Sequence, residues 1–200
     1  PEVSFMFLAM TFLFSSSIMA MSLGNMLIGE EGEPIWRIYA SPITAKNLVK
    51  SKFALLLSFS IITLIITGTI GTIFYKPPIN LIVVGFLEGL FMIFALGSIA
   101  LAIGFRGADF TVIPRARMIR PLWSYISLAA CALAGLGILA PFAPGLLSAF
   151  FSANFSFTNI TTVDFTIPVI VSAVIASVIT VVFYRINLNS ADDLIRKAET

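Results

Sequence analysis

Five long apolar runs, parted by short polar segments, organise this chain: residues 3–23, 53–75, 79–105, 121–140 and 167–184. Each reaches or exceeds the ~18–20 apolar residues that carry a helix across ~30 Å of hydrocarbon. The pattern predicts an all-α, polytopic membrane bundle of five transmembrane helices, forming one transmembrane domain over residues 1–200. The connecting segments are then 24–52, 106–120, 141–166 and a tail, 185–200.

The cations add an orientation. Eleven of the twelve Lys and Arg residues fall in three segments on alternate sides of the runs. Arg37, Lys46, Lys50 and Lys52 lie between runs one and two. Arg106, Arg115, Arg117 and Arg120 lie between three and four, and Arg185, Arg196 and Lys197 follow run five. Lys76 alone lies on the other side. Basic loops stay cytoplasmic, so the N-terminus is expected outside, the C-terminus inside, and the chain in the cell membrane as a multi-pass protein.

Composition agrees with this class. Hydrophobic residues make up 58% and charged residues 11%, against roughly 25% charged in soluble domains. The formal net charge of +2 is compartmentalised rather than spread, so membrane topology and anionic lipid account for the basic loops without a nucleic-acid partner. The chain has no His and a single Cys, Cys131, inside the fourth run. An internal disulfide and the usual zinc patterns are therefore excluded, and no metal or cofactor is expected. No GxxxxGK[ST] phosphate loop occurs, and a Ser/His or Cys/His nucleophilic pair cannot form. The chain is not expected to be an enzyme.

The chain opens with Pro1, and no Lys or Arg precedes Arg37. A secretory signal would show a basic leader and a shorter apolar stretch. The expectation is the later part of a longer membrane protein lacking at least one earlier span. The alternative is a complete small protein that inserts with its N-terminus outside.

Segment 24–52 is the most informative polar stretch. Glu33-Pro34 puts Pro at a first helical position, with Glu30, Glu31 and Glu33 near the positive end of the helix dipole. Ser41-Pro42 repeats the arrangement with Ser41 as N-cap. This predicts a short helix over about 34–40 and a second helix running from Pro42 through Lys52 into the second span. Ile35, Ile38 and Tyr39 share one face of the first, flanked by Trp36. That face suits either an interfacial helix, with Trp36 and Tyr39 at headgroup depth, or a knob that docks in a groove of a cytoplasmic partner.

The stretch Glu31-Gly32-Glu33-Pro34-Ile35-Trp36-Arg37-Ile38-Tyr39-Ala40-Ser41-Pro42-Ile43-Thr44, with Lys52 at the mouth of the next span, resembles the coupling-loop motif of ABC exporter permeases of the type-2 superfamily. Those permeases carry an acidic residue and Gly, an aromatic, a short amphipathic helix, a Ser/Ala-Pro-Ile/Val turn and a Lys before the membrane. They have six spans with both termini inside, and the coupling loop joins spans two and three. A C-terminal portion lacking the first span would show the topology read above. Gly107-Ala108-Asp109-Phe110 is similar to a second cytoplasmic stretch of the family, except that Thr111 stands where Pro is common. The resemblance implies a permease that forms a translocation path and couples to a separate cytoplasmic ABC ATPase through Glu31, Gly32, Ile35, Trp36, Tyr39, Ser41, Pro42, Ile43 and Lys52. It also implies a second permease half or a homodimer.

The four Arg residues of 106–120 suit snorkelling at span ends, which pins helix depth. Segment 141–166 has no Lys or Arg, and Pro141, Pro144 and Gly145 interrupt it before Leu146, Leu147, Phe150 and Phe151. So apolar a strip is expected to lie in the interface or to re-enter the membrane, as the corresponding region of the resembled permeases does. Asn154-Phe155-Ser156 and Asn159-Ile160-Thr161 are N-glycosylation sequons, which makes Asn154 and Asn159 candidate glycan sites.

Glu88 is the one acidic residue well inside a run, close to mid-bilayer by sequence position. An ionised carboxylate there costs at least ~2.5–3.5 kcal/mol, so it is expected to face the bundle interior, protonated or paired. It reads either as a polar point on a translocation path or as a helix–helix hydrogen bond. Gly85 and Gly89 flank it at four-residue spacing, a small-residue face for helix packing. In the tail, Ser190 followed by Asp192 and Asp193 predicts a separately capped turn.

Two readings stand beside the exporter. One is a non-transporting membrane scaffold or assembly protein; the other is an ion- or proton-coupled carrier that uses Glu88. The topology they share predicts that a fluorescent protein fused after Thr200 glows, whereas a periplasmic phosphatase fused there is inactive. The reverse pair of results would turn the orientation over.

Overall fold

The structure, a computed structural model, describes residues 2–29, 44–108, 121–144 and 165–196, with side chains described from residue 11. Nearly all of the described residues are helical. They form α1 (Glu2–Gly29), α2 (Ala45–Tyr75), α3 (Ile79–Gly107), α4 (Pro121–Leu139), a 3-10 turn (Ala140–Phe142) and α5 (Thr166–Arg196). All five helices are long and apolar enough to cross a membrane. Each apolar run of the sequence lies in one helix, apart from the last residue of the fourth.

The bundle is built inside out relative to a soluble protein. Ile62, Ile65, Ile66, Ile70 and Ile73 of α2, Leu133 and Leu136 of α4, and Ile170, Val174, Val178 and Val181 of α5 are all exposed. Water would penalise such a surface, whereas lipid accepts it. Many hydroxyls bond within their own helix: Ser16 donates to the Phe12 carbonyl at 2.6 Å, Thr63 to Phe59 at 2.9 Å and Thr180 to Ala176 at 2.7 Å. This back-bonding gives each hydroxyl an acceptor where hydrocarbon offers none.

Helix α3 is the centre. Phe12, Ala20, Leu27, Leu56, Leu64 and Ile93 join it to α1 and α2. Met92, Leu96, Ile99, Ile103, Cys131, Ile138 and Ala176 join it to α4 and α5. Its residues from Ala95 to Phe105 are buried without a break. A helix enclosed on every side needs small residues, and Ala95, Gly97, Ser98, Ala100, Ala102 and Gly104 provide them. The closest approach is to α1, which runs parallel to α3. A Cβ on Gly104 would stand 2.8 Å from the Gly24 carbonyl oxygen, which is backbone and cannot swing aside.

Gly85 and Gly89, read as one packing face, separate in the structure. A Cβ on Gly89 would meet Leu64 Cδ1 of α2 at 2.7 Å, so a methyl there would require the Leu64 side chain to shift. At Gly85 the nearest atom is Phe12 Cδ2 at 3.5 Å, an ordinary contact. The backbone-to-backbone pair, Gly24 and Gly104, was not singled out in the sequence because Gly24 falls in the polar segment after the first run and Gly104 in the third run.

Two helix boundaries also differ from expectation. Thr44 is extended (φ −79°, ψ 149°) and caps α2, its Oγ1 accepting from the Asn47 N–H at 3.4 Å. The second helix therefore starts at Ala45 and does not run unbroken from Pro42. Thr44 takes the cap position, its carbonyl accepting from the Asn47 N–H at 2.9 Å alongside the longer side-chain contact. The tail is not a separately capped turn either: α5 continues through Ser190 to Arg196, because Ala191 is buried among Ile28, Ala45, Leu48, Val49, Leu101 and Phe105. Burial of that face outweighs the capping preference of Ser190.

Two glycines allow a controlled comparison. Gly104→Ala should cost about 1–3 kcal/mol through overpacking against a backbone oxygen. Gly137→Ala, with nothing within 4 Å of the added carbon, should stay within about 1 kcal/mol of wild type. Thermal unfolding in detergent reads both, and equal behaviour would refute the close α1–α3 crossing.

Candidate functional site

Of the residues that the family resemblance marks for coupling, Glu31, Gly32, Ile35, Trp36, Tyr39, Ser41, Pro42 and Ile43 lie outside the described residues, as do Asn154 and Asn159. Lys52 is described. It sits half-buried in α2, seven residues after the helix begins. What the structure does describe is the end of the bundle onto which segment 30–43 opens.

Four helix ends meet there: the C-termini of α1, α3 and α5 and the N-terminus of α2. Ile28, Ala45, Leu48, Val49, Leu101, Phe105 and Ala191 form a buried cluster, covered by Phe53, Tyr184, Leu188, Leu194 and Ile195. The ring of Phe53 stands edge-on to Tyr184 at 5.9 Å and tilted towards Phe94 at 6.4 Å. Polar bonds tie α3 to α5 at the same end. Asn187 Nδ2 donates to the Ser98 carbonyl at 3.0 Å, and Arg106 Nε donates to Ser190 Oγ at 3.3 Å. Asn187 is fully buried and its Oδ1 has no partner among the described residues.

The described cations, Lys76 apart, fall towards this end too. Lys46, Lys50 and Lys52 lie in the first turns of α2, Arg106 at the end of α3, and Arg185 in the C-terminal part of α5. Lys76 caps the opposite end of α2 in the left-handed conformation (φ 45°), its N–H donating to the Thr72 carbonyl at 3.0 Å. The alternation read from the sequence is thus a segregation of charge to one end of the bundle.

The second polar locus lies inside the helix bundle. Glu88 is 3% exposed, and the Ser172 hydroxyl of α5 is hydrogen-bonded to its Oε1. Ser172 Oγ also lies 3.0 Å from the Val169 carbonyl oxygen, and Glu88 Oε2 has no partner among the described residues. The carboxyl does face the interior. It is not at mid-helix, however: nine residues of α3 precede it and nineteen follow, which sets it towards the Lys76 end by roughly 7–8 Å from the helix centre.

Sequence reading did not find Ser172, Asn187 or Ser190 as inter-helix contacts. Each lies on the face of α5 that meets α3, and spacings of 15 and 3 residues fit one helical stripe. Ending the fifth span at Tyr184 hid that stripe, because it left Asn187 and Ser190 in a separate tail.

A cavity of about 390 Å³ opens between α1, α3 and α4, with Leu13, Ile18, Met21, Met92, Leu128 and Leu136 among its apolar walls. Its polar lining is confined to Ser17 and Cys131, and the Cys131 thiol is directed at the Leu96 carbonyl oxygen, 3.8 Å away. Among the described residues no group of three or more His, Cys, Asp or Glu side chains could hold a metal ion.

No protein-family model, curated protein or solved structure matches this chain.

The α3–α5 junction can be probed alone. Asn187→Ala should cost about 1–2 kcal/mol, combining a buried hydrogen bond with a small void. The check is the unfolding midpoint in detergent, and an unchanged midpoint would mean that the Asn187–Ser98 bond contributes nothing.

Proposed function

We propose that this chain is the permease component of an ATP-driven ABC exporter of the type-2 kind. In this reading it lies in the cell membrane with its N-terminus outside and its basic end facing the cytoplasm. It forms the translocation path together with a second permease half or a second copy. A separate cytoplasmic ATPase supplies the energy, and the chain carries out no chemistry of its own.

One observation carries the reading: the Glu31–Lys52 motif leads into α2 at the basic end of the bundle. There Ala45, Leu48, Val49 and Phe53 of α2 pack against the ends of α1, α3 and α5. Helix α2 is 31 residues long, a rod of about 46 Å. A push on the short amphipathic segment around Ile35 and Trp36 would reach α2 within one turn of Thr44. The buried cluster would share the load with α3 and α5, so the helices would move as a packed unit rather than fray at one end. ATP-driven closure of the ATPase thereby alternates the exposure of a path between paired permeases. A membrane scaffold would need the same spans but no such mechanical junction.

The test is co-purification from membranes with a P-loop ATPase, together with stimulation of its ATP hydrolysis. Ile35→Asp with Trp36→Asp places two carboxylates on the docking face, where each costs about 2 kcal/mol or more if buried against a partner. Complex yield and stimulated hydrolysis should both fall by about tenfold or more. Retention of both would remove the coupling role and with it the exporter reading.

A further inference from the structure

We propose that Glu88 and Ser172 form a proton-binding site buried between α3 and α5, and that release of the proton loosens this interface. The proposal stands independently of the permease reading.

The argument is hydrogen bookkeeping. Ser172 has one hydroxyl hydrogen but two acceptors in reach, Glu88 Oε1 and the Val169 carbonyl oxygen at 3.0 Å. A serine hydroxyl makes one full donation. Both contacts become full hydrogen bonds only when Glu88 Oε1 carries a hydrogen of its own and donates it to Ser172 Oγ. The Ser172 hydroxyl then serves Val169. In that state Oε2 is the carbonyl oxygen of a neutral acid, and its lack of a partner is far cheaper than an unpartnered carboxylate oxygen. Without the proton, one donor faces two acceptors, and a charged oxygen is left buried.

A proton fits this site better than a metal cation. Glu88 offers two oxygens and Ser172 one, whereas Na⁺-sized and Ca²⁺-sized ions take about six or more oxygen ligands. Among the described residues no other charged side chain lies beside the site. On the helices packed against α3, the described charged side chains are Lys46, Lys50 and Lys52 of α2, Lys76 at its C-cap, and Arg185, Asp192 and Asp193 of α5. Arg185 lies thirteen residues, about 20 Å, beyond Ser172 along α5; the others stand in the terminal turns of their helices, as does Arg106 on α3 itself, and Glu2 is the first residue of α1. Tyr75, Tyr125 and Tyr184 are each roughly 15 Å or more away along the helix axes. Nearest is Cys131 of α4, whose thiol points at the Leu96 carbonyl, eight residues or about 12 Å further along α3.

On release, the O–H bond at Oε1 breaks and its proton passes to a water molecule. The carboxylate then takes the Ser172 hydroxyl as donor, and the Ser172–Val169 contact is given up. Oε2 gains a donor only from water that enters between α3 and α5. The shorter way in is from the α5 N-terminus, since Ser172 lies six residues, or about 9 Å, beyond Thr166.

Infrared spectra of the chain in lipid nanodiscs test this, with hydrogen–deuterium exchange on the same samples. As the pH rises from about 5 to about 9, a carboxylic C=O band should give way to carboxylate. The band should lie at the frequency of a carbonyl free of hydrogen bonds, shift on ¹³C-labelling of the glutamate carboxyls and vanish in Glu88→Gln. Over the same pH range, backbone exchange in 84–92 and 168–176, corrected for its intrinsic pH dependence, should rise about tenfold in the wild type. It should stay flat in Glu88→Gln. The labelled wild type identifies the band even if that variant fails to fold. Absence of a titrating glutamic acid band, or titration without a change in exchange, would overturn the proposal.

Discussion

Hydrocarbon offers no water to satisfy a backbone N–H or C=O, and that constraint underlies everything else in this molecule. It forces each apolar run into a helix and turns the large aliphatic side chains outward. It also leaves small residues and back-bonded hydroxyls to make the interior. With no hydrophobic drive between helices in lipid, association depends on close van der Waals contact. Helix α3 meets that demand with the sequence from Ala95 to Phe105, where small side chains let four helices gather round one. The backbone of Gly104 against the Gly24 carbonyl is the tightest expression of it.

Some polar side chains in such an interior bond across helices instead of within their own, and three such pairs fall on one seam. Glu88 with Ser172, Ser98 with Asn187, and Arg106 with Ser190 all join α3 to α5. By contrast, the contacts of α3 with α1 and α2 are chiefly apolar, the Phe12–Phe86 edge contact at 4.7 Å among them. The α3–α5 seam is thus the interface most responsive to charge and water. At one end it reaches the basic junction with α2, and near the other it holds a buried acid. A permease that moves α2 would transmit the motion along this seam.

Most of the fold was legible in the chain, because hydropathy over some twenty residues is a strong signal and a charge at a span end is unambiguous. The boundaries were less so. Ser41-Pro42 carries a good start signal, yet Thr44 caps the helix, since two capping residues three apart compete and only tertiary packing selects between them. The tail looked polar enough to leave the membrane helix at Tyr184. Burial of Ala191 against α2 and α3 keeps it helical, and no local sequence signal reports that long-range contact. Glu88 was readable as a buried interior acid, but its partner Ser172 was one of many serines. The coupling residues from Glu31 to Ile43 rest on the resemblance and on the junction into which they lead.

The account depends most on the charge segregation placing Lys50 and Lys76 on opposite sides of a bilayer. In a Cys131→Ala background, Lys50→Cys and Lys76→Cys should be expressed separately and treated, in intact cells, with a membrane-impermeant maleimide. Labelling of the Lys76 position alone, with the Lys50 position reacting only after the membrane is opened, is the predicted result. Labelling of the Lys50 position in intact cells, or equal labelling of both, would contradict the topology and every functional statement built on it.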